Sequence, residues 1–402
     1  MNIKLDNIKG DRTIWAIVAV LAIFSFLPVY SASTNLVYVI GKGTTFGYLI
    51  KHAVLLLLGF VIMFTVHRIP YRYFSGLSVL LMPVVLLLLV FTLAKGTVIG
   101  GANASRWIQI PFVGVGFQTS TLAIVVLMMY VARYLARNKD KEIKFKESFL
   151  YLWIPVGIIL ILILPANFST TAIAFAMILL LVFIGGYPIK YILNILGMAL
   201  VALTVFILLA RAFPDTMKNT RIETWNNRIE NFFSGETDDN YQAEKAKIAI
   251  ASGEIKGKGP GKSVQKNFLP QSSSDFIYAI IVEEFGLIGA VIIILSYLFL
   301  MFRIFVIATK TKTVFGTLLT IGVGVPIVFQ AFINIAVAVG LLPVTGQPLP
   351  LISTGGTSIW MTCFAIGIIL SVSASEVNFA EMQKEKNEEL ENPLDILHET
   401  IN

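Results

Sequence analysis

Apolar runs long enough to cross a bilayer recur from one end of this chain to the other. A spanning helix needs about 20 such residues. Reading apolar runs between polar breaks gives spans near 13–31, 50–66, 75–95, 118–136, 148–164, 169–186, 189–212, 276–302, 315–340 and 355–374. Of 402 residues, 56% are hydrophobic and only 14% charged, too little charge to cover a soluble surface of this size. The expected fold class is therefore an all-α integral membrane protein of about ten transmembrane helices. Residues 1–375 form one polytopic domain, and 376–402 form a polar, charged tail that reads as disordered.

Basic residues in short loops set the orientation. Lys4, Lys9 and Arg12 precede the first span. Arg133, Arg137, Lys139, Lys141, Lys144 and Lys146 follow the fourth, and Arg303, Lys310 and Lys312 follow the eighth. These segments share one side, which the rule makes cytoplasmic, and both termini fall there. The first run, from Ile14 to about Tyr30, lacks a clear small-residue cleavage site and reads as a signal anchor. The net charge of +7 then reports loops that face anionic lipid, with no nucleic-acid partner implied. The single cysteine, Cys363, excludes a disulfide framework. His52, His67 and His398 are too far apart in sequence to suggest a metal site.

The other side carries one long insertion, about 213–275, between the seventh and eighth spans. Loops of that length usually have a function. Ile222, Trp225, Ile229 and Phe232 recur at helical spacing, as expected for an amphipathic helix at the outer leaflet or packed on the bundle.

Further along, Gly261-Lys262-Ser263 invites a phosphate-loop reading that fails, because the first glycine of that motif is replaced by Lys256. A basic, Gly-rich loop still suits an anion. Lys256, Lys258, Lys262 and Lys266 with nearby amides form a candidate pyrophosphate cradle. Asp275 follows at the mouth of the eighth span. It suits a helix N-cap, a general base or a ligand to a divalent cation, Mg²⁺ or Mn²⁺, with no organic cofactor expected.

Glu283 and Glu284 lie two turns into the same run, where ionisable residues are functional or paired. On a regular helix Glu283 is about 80° from Asp275 and Glu284 about 180°. With no basic partner evident inside a span, Asn334 is a candidate partner. Arg106 and Trp107, before the fourth span, suit phosphate pairing and sugar stacking, or interfacial anchoring. A Pro/Gly-rich loop from Leu342 to Ser358 leads into the last span. Ser353, Gly355 and Gly356 there offer a turn or an anion-favouring helix start.

These stretches together resemble the SEDS family of cell-wall glycan polymerases. The resemblance rests on Lys258-Gly-Pro-Gly-Lys-Ser-Val-Gln-Lys, Leu269-Pro, Ser274-Asp-Phe-Ile-Tyr-Ala, Glu283-Glu-Phe-Gly-Leu-Ile-Gly, Gly340-Leu-Leu-Pro-Val-Thr-Gly, Leu349-Pro-Leu-Ile-Ser-Thr-Gly-Gly-Thr-Ser and Arg106-Trp-Ile. It covers nearly the whole chain, and the Ser-Val-Gln-Lys form is more like the division branch than the elongation branch. It implies a lipid II polymerase of the bacterial inner membrane, at the division site. The implied partners are a class B penicillin-binding protein and other division proteins.

By the same resemblance Asp275 is the catalytic acid, and Arg106 and Trp107 line an extracellular cavity. Tyr241 and Gln242 match a Tyr-Gln pair of the loop. The chain departs from the family at Thr121, Ile124 and Asn167, where charged residues are usual, and reads Ser353-Thr-Gly-Gly-Thr-Ser where the family has Ser-Tyr-Gly-Gly-Ser-Ser. Rival readings are an elongation-type polymerase, a lipid II flippase, which buried Glu283 and Glu284 would suit, and a non-catalytic scaffold.

Overall fold

The computed structural model describes residues 9–38, 43–96, 107–109, 116–212, 238–269 and 272–390. Arg106, the segment around Trp225 and residues 391–402 lie outside them. Among the described residues, eight helices are long and apolar enough to cross a membrane. Five come before the long insertion: α1 (Arg12–Tyr38), α2 (Thr45–Val66), α3 (Arg72–Lys95), α4 (Thr119–Arg137) and α5 (Phe145–Ile163, with a π-helical turn at Phe149–Trp153). Two shorter apolar helices follow, α6 (Phe168–Ile184) and α7 (Ile189–Ala212). A polar helix, α8 (Asp238–Gly253), lies within the insertion. The remaining long helices are α9 (Ile277–Lys310), α10 (Val314–Ala338) and α11 (Thr357–Leu390).

The segment expected to be disordered from residue 376 is helical as far as Leu390. Ala, Glu, Lys, Gln and Met, all strong helix formers, dominate it. A two-stranded antiparallel hairpin, β1 (Trp107–Gln109) and β2 (Gly116–Gln118), stands before α4, with Trp107 opposite Gln118.

Packing follows the logic of a bundle in lipid. Helices bury one stripe against neighbours and leave Leu, Ile, Val and Phe on the outside, because hydrocarbon solvates them as well as a protein core does. In α3, Phe74, Ser78, Met82, Val85, Leu89 and Thr92 are buried at helical spacing, while Tyr73, Leu80 and Leu87 face out. α10 sits centrally, packed against α4, α6, α9 and α11.

Contacts gather the basic segments at one end of the bundle. Asp11 caps α1 by accepting from the Thr13 and Ile14 amides at 2.9 and 3.1 Å, and it pairs with Arg303 of α9. The Lys312 amide donates to Glu376 of α11 at 3.3 Å. Tyr71 and Thr313 share a 2.9 Å hydrogen bond, and Arg133 donates to the Ser75 carbonyl. The opposite end holds the hairpin, the insertion helix and the start of α9.

Candidate active site

The Gly-rich loop does bind an anion, but the anion belongs to the protein. Glu283 is fully buried, and its carboxylate sits among five donors. Oε1 accepts from Lys258 Nζ at 2.6 Å, the Val264 amide at 3.1 Å and Ser252 Oγ at 3.3 Å. Oε2 accepts from Ser263 Oγ and, at 3.2 Å, from the Gln265 amide. Glu284 Oε1 accepts from Ser31 Oγ of α1 and from the Ser263 amide at 3.3 Å. Lys266 donates to Ser31 Oγ at 3.2 Å and to the Gly261 carbonyl at 2.8 Å. Burying a carboxylate is tolerable only with this degree of pairing and hydrogen bonding. The Gly-Lys-Ser donors thus receive Glu283 and Glu284 in the way that such loops receive phosphate.

This corrects the expectation of two acids deep in a span with Asn334 as partner. α9 is broken at Gly286, whose φ of 67° and ψ of −164° belong to a region open almost solely to glycine. The break strands carbonyls and amides that a continuous helix would pair. The loop supplies substitutes: Lys258 and Gly259 donate to the Glu283 and Glu284 carbonyls at 3.0 and 2.9 Å. In return, Leu287 and Ile288 donate to the Glu254 and Ile255 carbonyls at 2.8 and 3.4 Å. The backbones approach so closely that a Cβ on Gly253 would lie 2.1 Å from the Val282 carbonyl oxygen, and one on Gly257 2.3 Å from that of Glu284. Both acids therefore precede the lipid-facing part of α9, which begins at Leu287.

Asp275 precedes Glu283 by eight residues in the chain. The N-cap of α9 is Phe276, without a side-chain cap, so Asp275 is not the cap residue expected. Its backbone is held instead by the Pro/Gly-rich loop and α10. Thr354 donates to the Ser273 carbonyl through its amide and hydroxyl, at 2.9 and 2.8 Å. Ser353 Oγ donates to the Ser274 carbonyl at 2.6 Å. Asn334 Nδ2 donates to the Asp275 carbonyl and to that of Gln347, both at 2.8 Å. Gln347 in turn donates to Thr170 Oγ1 of α6 at 2.7 Å. Asp275 is half-buried, on a backbone held by both the Pro/Gly-rich loop and α10.

The hairpin joins this end through Thr357, whose hydroxyl accepts from the Gln118 amide at 3.0 Å and donates to the Gly116 carbonyl at 3.3 Å. Trp107 is half-buried on the adjacent strand. Gly355 and Gly356 lie in the turn ahead of α11, Gly356 at φ 51°.

Tyr241 and Gln242 are on α8, the helix within the long insertion. Tyr241 is exposed, with Lys245 Nζ 5.1 Å from its ring centre. Where the family is usually charged, this chain is neutral. Asn167 caps α6 by accepting from the Thr170 amide at 3.3 Å, and Thr121 donates to the Gln118 carbonyl at 2.8 Å. Thr92, Thr119, Ser120 and Asn167 line a small cleft between α3, α4 and α5. Among the described residues no group of three His, Cys, Asp or Glu side chains is placed to hold a metal.

Sequence reading missed Ser31, Ser252 and Gln347. Ser31 has no signal in an apolar run. Ser252 and Gln347 are ordinary polar residues whose partners lie 31 and 177 positions away.

The model of the family FTSW_RODA_SPOVE, described as a cell cycle protein, matches residues 11–378. The probable peptidoglycan glycosyltransferase FtsW of Geobacter sulfurreducens is 33% identical over 382 residues, covering 93% of this chain and 98% of that protein. The protein of the same name from Enterococcus hirae is 33% identical over 402 residues, covering 96% of each. Among solved structures, a chain of a peptidoglycan synthase complex, described for its structural coordination of polymerization and crosslinking, aligns with a TM-score of 0.70 at 24% identity. That alignment covers 91% of this chain and 98% of the other. The rod shape determining protein RodA of Thermus thermophilus aligns with a TM-score of 0.64 at 23% identity, over 91% and 97%. These two likenesses bear on the fold. With a family model and full-length relatives agreeing, the chain belongs to the FtsW/RodA/SpoVE family.

Proposed function

We infer that this protein is a peptidoglycan glycosyltransferase that polymerises lipid II into glycan strands for the division septum. The observation that carries the reading is Asp275, an acid on an immobilised backbone at the polar end of a membrane bundle whose family relatives bear that activity in their names. In the reaction, the 4-hydroxyl of one lipid-linked disaccharide attacks the anomeric carbon of another. A new glycosidic bond forms, the bond to undecaprenyl pyrophosphate breaks, and the hydroxyl proton leaves.

Asp275 takes that proton, or holds a divalent cation beside the departing pyrophosphate. A carboxylate at this position suits Mg²⁺ or Mn²⁺, which are commonly bound by one or two carboxylates together with substrate phosphates. When bound, the cation would neutralise charge on the leaving group. Arg106 and Lys262 are the cations assigned to phosphate, and Trp107, Tyr241 and Gln242 to the sugar or the loop around it. Lys258 and Lys266 are committed to Glu283, Ser31 and Gly261.

We assign the basic end to the cytoplasm, which puts Asp275 outside and gives ten crossings when α6 and α7 are counted. Glu283 and Glu284 face the loop and not a transport path, which favours glycosyl transfer over flipping. The relatives' division-type names favour the septum over elongation, with a class B penicillin-binding protein and other division proteins as partners in the inner membrane.

The test is strand formation from fluorescent lipid II by the full chain with its transpeptidase. Wild type should make strands, and Asp275→Asn should be slower by about 10²-fold or more. Equal rates would remove Asp275 from the chemistry. A wild type that makes no strands while moving labelled lipid II across vesicles would replace the polymerase with a flippase.

A further inference from the structure

The segment that carries Asp275 is held at both ends, and its lower end lies too far away to take part in chemistry. Glu283 is eight residues below Asp275, about 12 Å along a helix. Between them Ile277 to Val282 are all buried. Below them Gly286 departs from helical geometry, so the spanning part of α9 does not dictate where the upper segment points. Two things do. Above, Thr354, Ser353 and Asn334 grip the backbone of Ser273, Ser274 and Asp275. Below, the Glu283 carboxylate is gripped by the loop from Ser252 to Gln265. The two grips come from different parts of the chain, so each is needed to fix the segment.

On the reading of Asp275 given above, we propose that Lys258 and Glu283 are positioning residues. Their ion pair latches the broken helix to the Gly-rich loop and sets where Asp275 meets the substrate. The latch is closed by charge at one corner only. Lys258 is 33% exposed and Glu283 is 0% exposed, and the other four donors to the carboxylate are amides and hydroxyls. Removing the ammonium therefore leaves a carboxylate still bonded to four groups, a loosened segment rather than an unfolded one. Removing the carboxylate would strand all five donors. Lys258→Met is thus the informative variant, and Lys258→Arg, which keeps the charge, is its control.

The experiment measures strand formation from lipid II by the full chain with its transpeptidase, together with amide hydrogen exchange. Lys258→Met should lower kcat about tenfold while KM stays within about twofold, since orientation is lost and binding is not. Lys258→Arg should recover to within about threefold of wild type. Amides from Ser274 to Ile277 should exchange faster in Lys258→Met while those of α10 stay unchanged. A rise in KM at unchanged kcat would overturn the proposal by making Lys258 a substrate contact. Unchanged kcat, or exchange that quickens equally in α10, would overturn it as well. The Asp275→Asn arm separates the two ideas. If that variant polymerises at the wild-type rate, the role of Asp275 fails, while exchange still reads the latch without using activity.

Discussion

The two parts of α9 are alike in sequence and opposite in environment. Above Gly286, eight consecutive residues from Ile277 to Glu284 are buried on every face. Below it, Gly289, Ala290, Ile293, Tyr297, Leu300, Ile304 and Ile307 are buried along one stripe. Leu287, Ile288, Val291, Ile292, Leu295, Leu298 and Phe302 are exposed on the other side. The lower part is a membrane helix with lipid on one face. The upper part is enclosed by α8, the Gly-rich loop and α10, and two carboxylates survive there because the loop brings donors to them. Hydropathy joins the two because both are apolar, and only backbone geometry at one glycine separates them. A charge inside an apolar run need not lie in lipid. It can mark the point where the run leaves lipid for protein.

The comparison breaks most completely at the hinge. Gly286→Ala forces a Cβ to within 2.3 Å of the Ile255 carbonyl oxygen and 2.4 Å of the Gly257 nitrogen, at a φ of +67°. Strain and overpacking together should cost about 3–5 kcal/mol. The thermal midpoint in detergent should fall steeply or folded protein should be lost. Gly197→Ala in α7, where a Cβ would meet nothing within 4 Å, should be neutral or slightly stabilising. Equal effects at the two glycines would mean that the hinge imposes no special constraint.

A smaller effect tests the upper grip. Asn334→Leu is close in volume and removes both donors to the Asp275 and Gln347 carbonyls. Losing these two hydrogen bonds should cost about 1–3 kcal/mol. Polymerisation should slow as well, because the backbone of Asp275 loses one of its holds. A loss of stability with full activity would show that this contact supports the fold but not the position of the acid.

What was legible in the sequence follows from what each feature depends on. The apolar helices lie within a few residues of the expected spans at most of their ends, because a lipid solvent demands a continuous apolar stretch whatever its neighbours do. The Gly-Lys-Ser stretch was readable as an anion cradle, because donors are local. Its occupant was not, because Glu283 comes 20 residues after Ser263 and returns to it only through the fold. Separation along the chain also hid the true bonds of Asn334, whose partners Asp275 and Gln347 lie 59 and 13 positions away on either side of it. The Gly in Glu283-Glu-Phe-Gly was visible, but a glycine in a membrane helix is common and does not by itself announce a break. Asp275 was legible as an acid at the mouth of a span beside a basic loop, and the family motif singled it out as the catalytic acid. Its backbone support was legible in no local pattern, since it brings Asn334 of α10 and the loop ahead of α11 to the start of α9.

The smallest expected effect lies in the lower part of α9 and sharpens the contrast. Leu295 is 55% exposed on the lipid side of that helix. In water an exposed leucine is a liability, but in hydrocarbon the side chain keeps apolar neighbours whether or not protein touches it. Leu295→Ala should therefore change stability by no more than about 0.5 kcal/mol, the range of surface substitutions. The thermal midpoint and the rate of strand formation should both stay near wild type. A clear loss of either would mean that this face is covered by protein in the working assembly. The lower part of α9 would then resemble the upper one, with a partner in place of the loop.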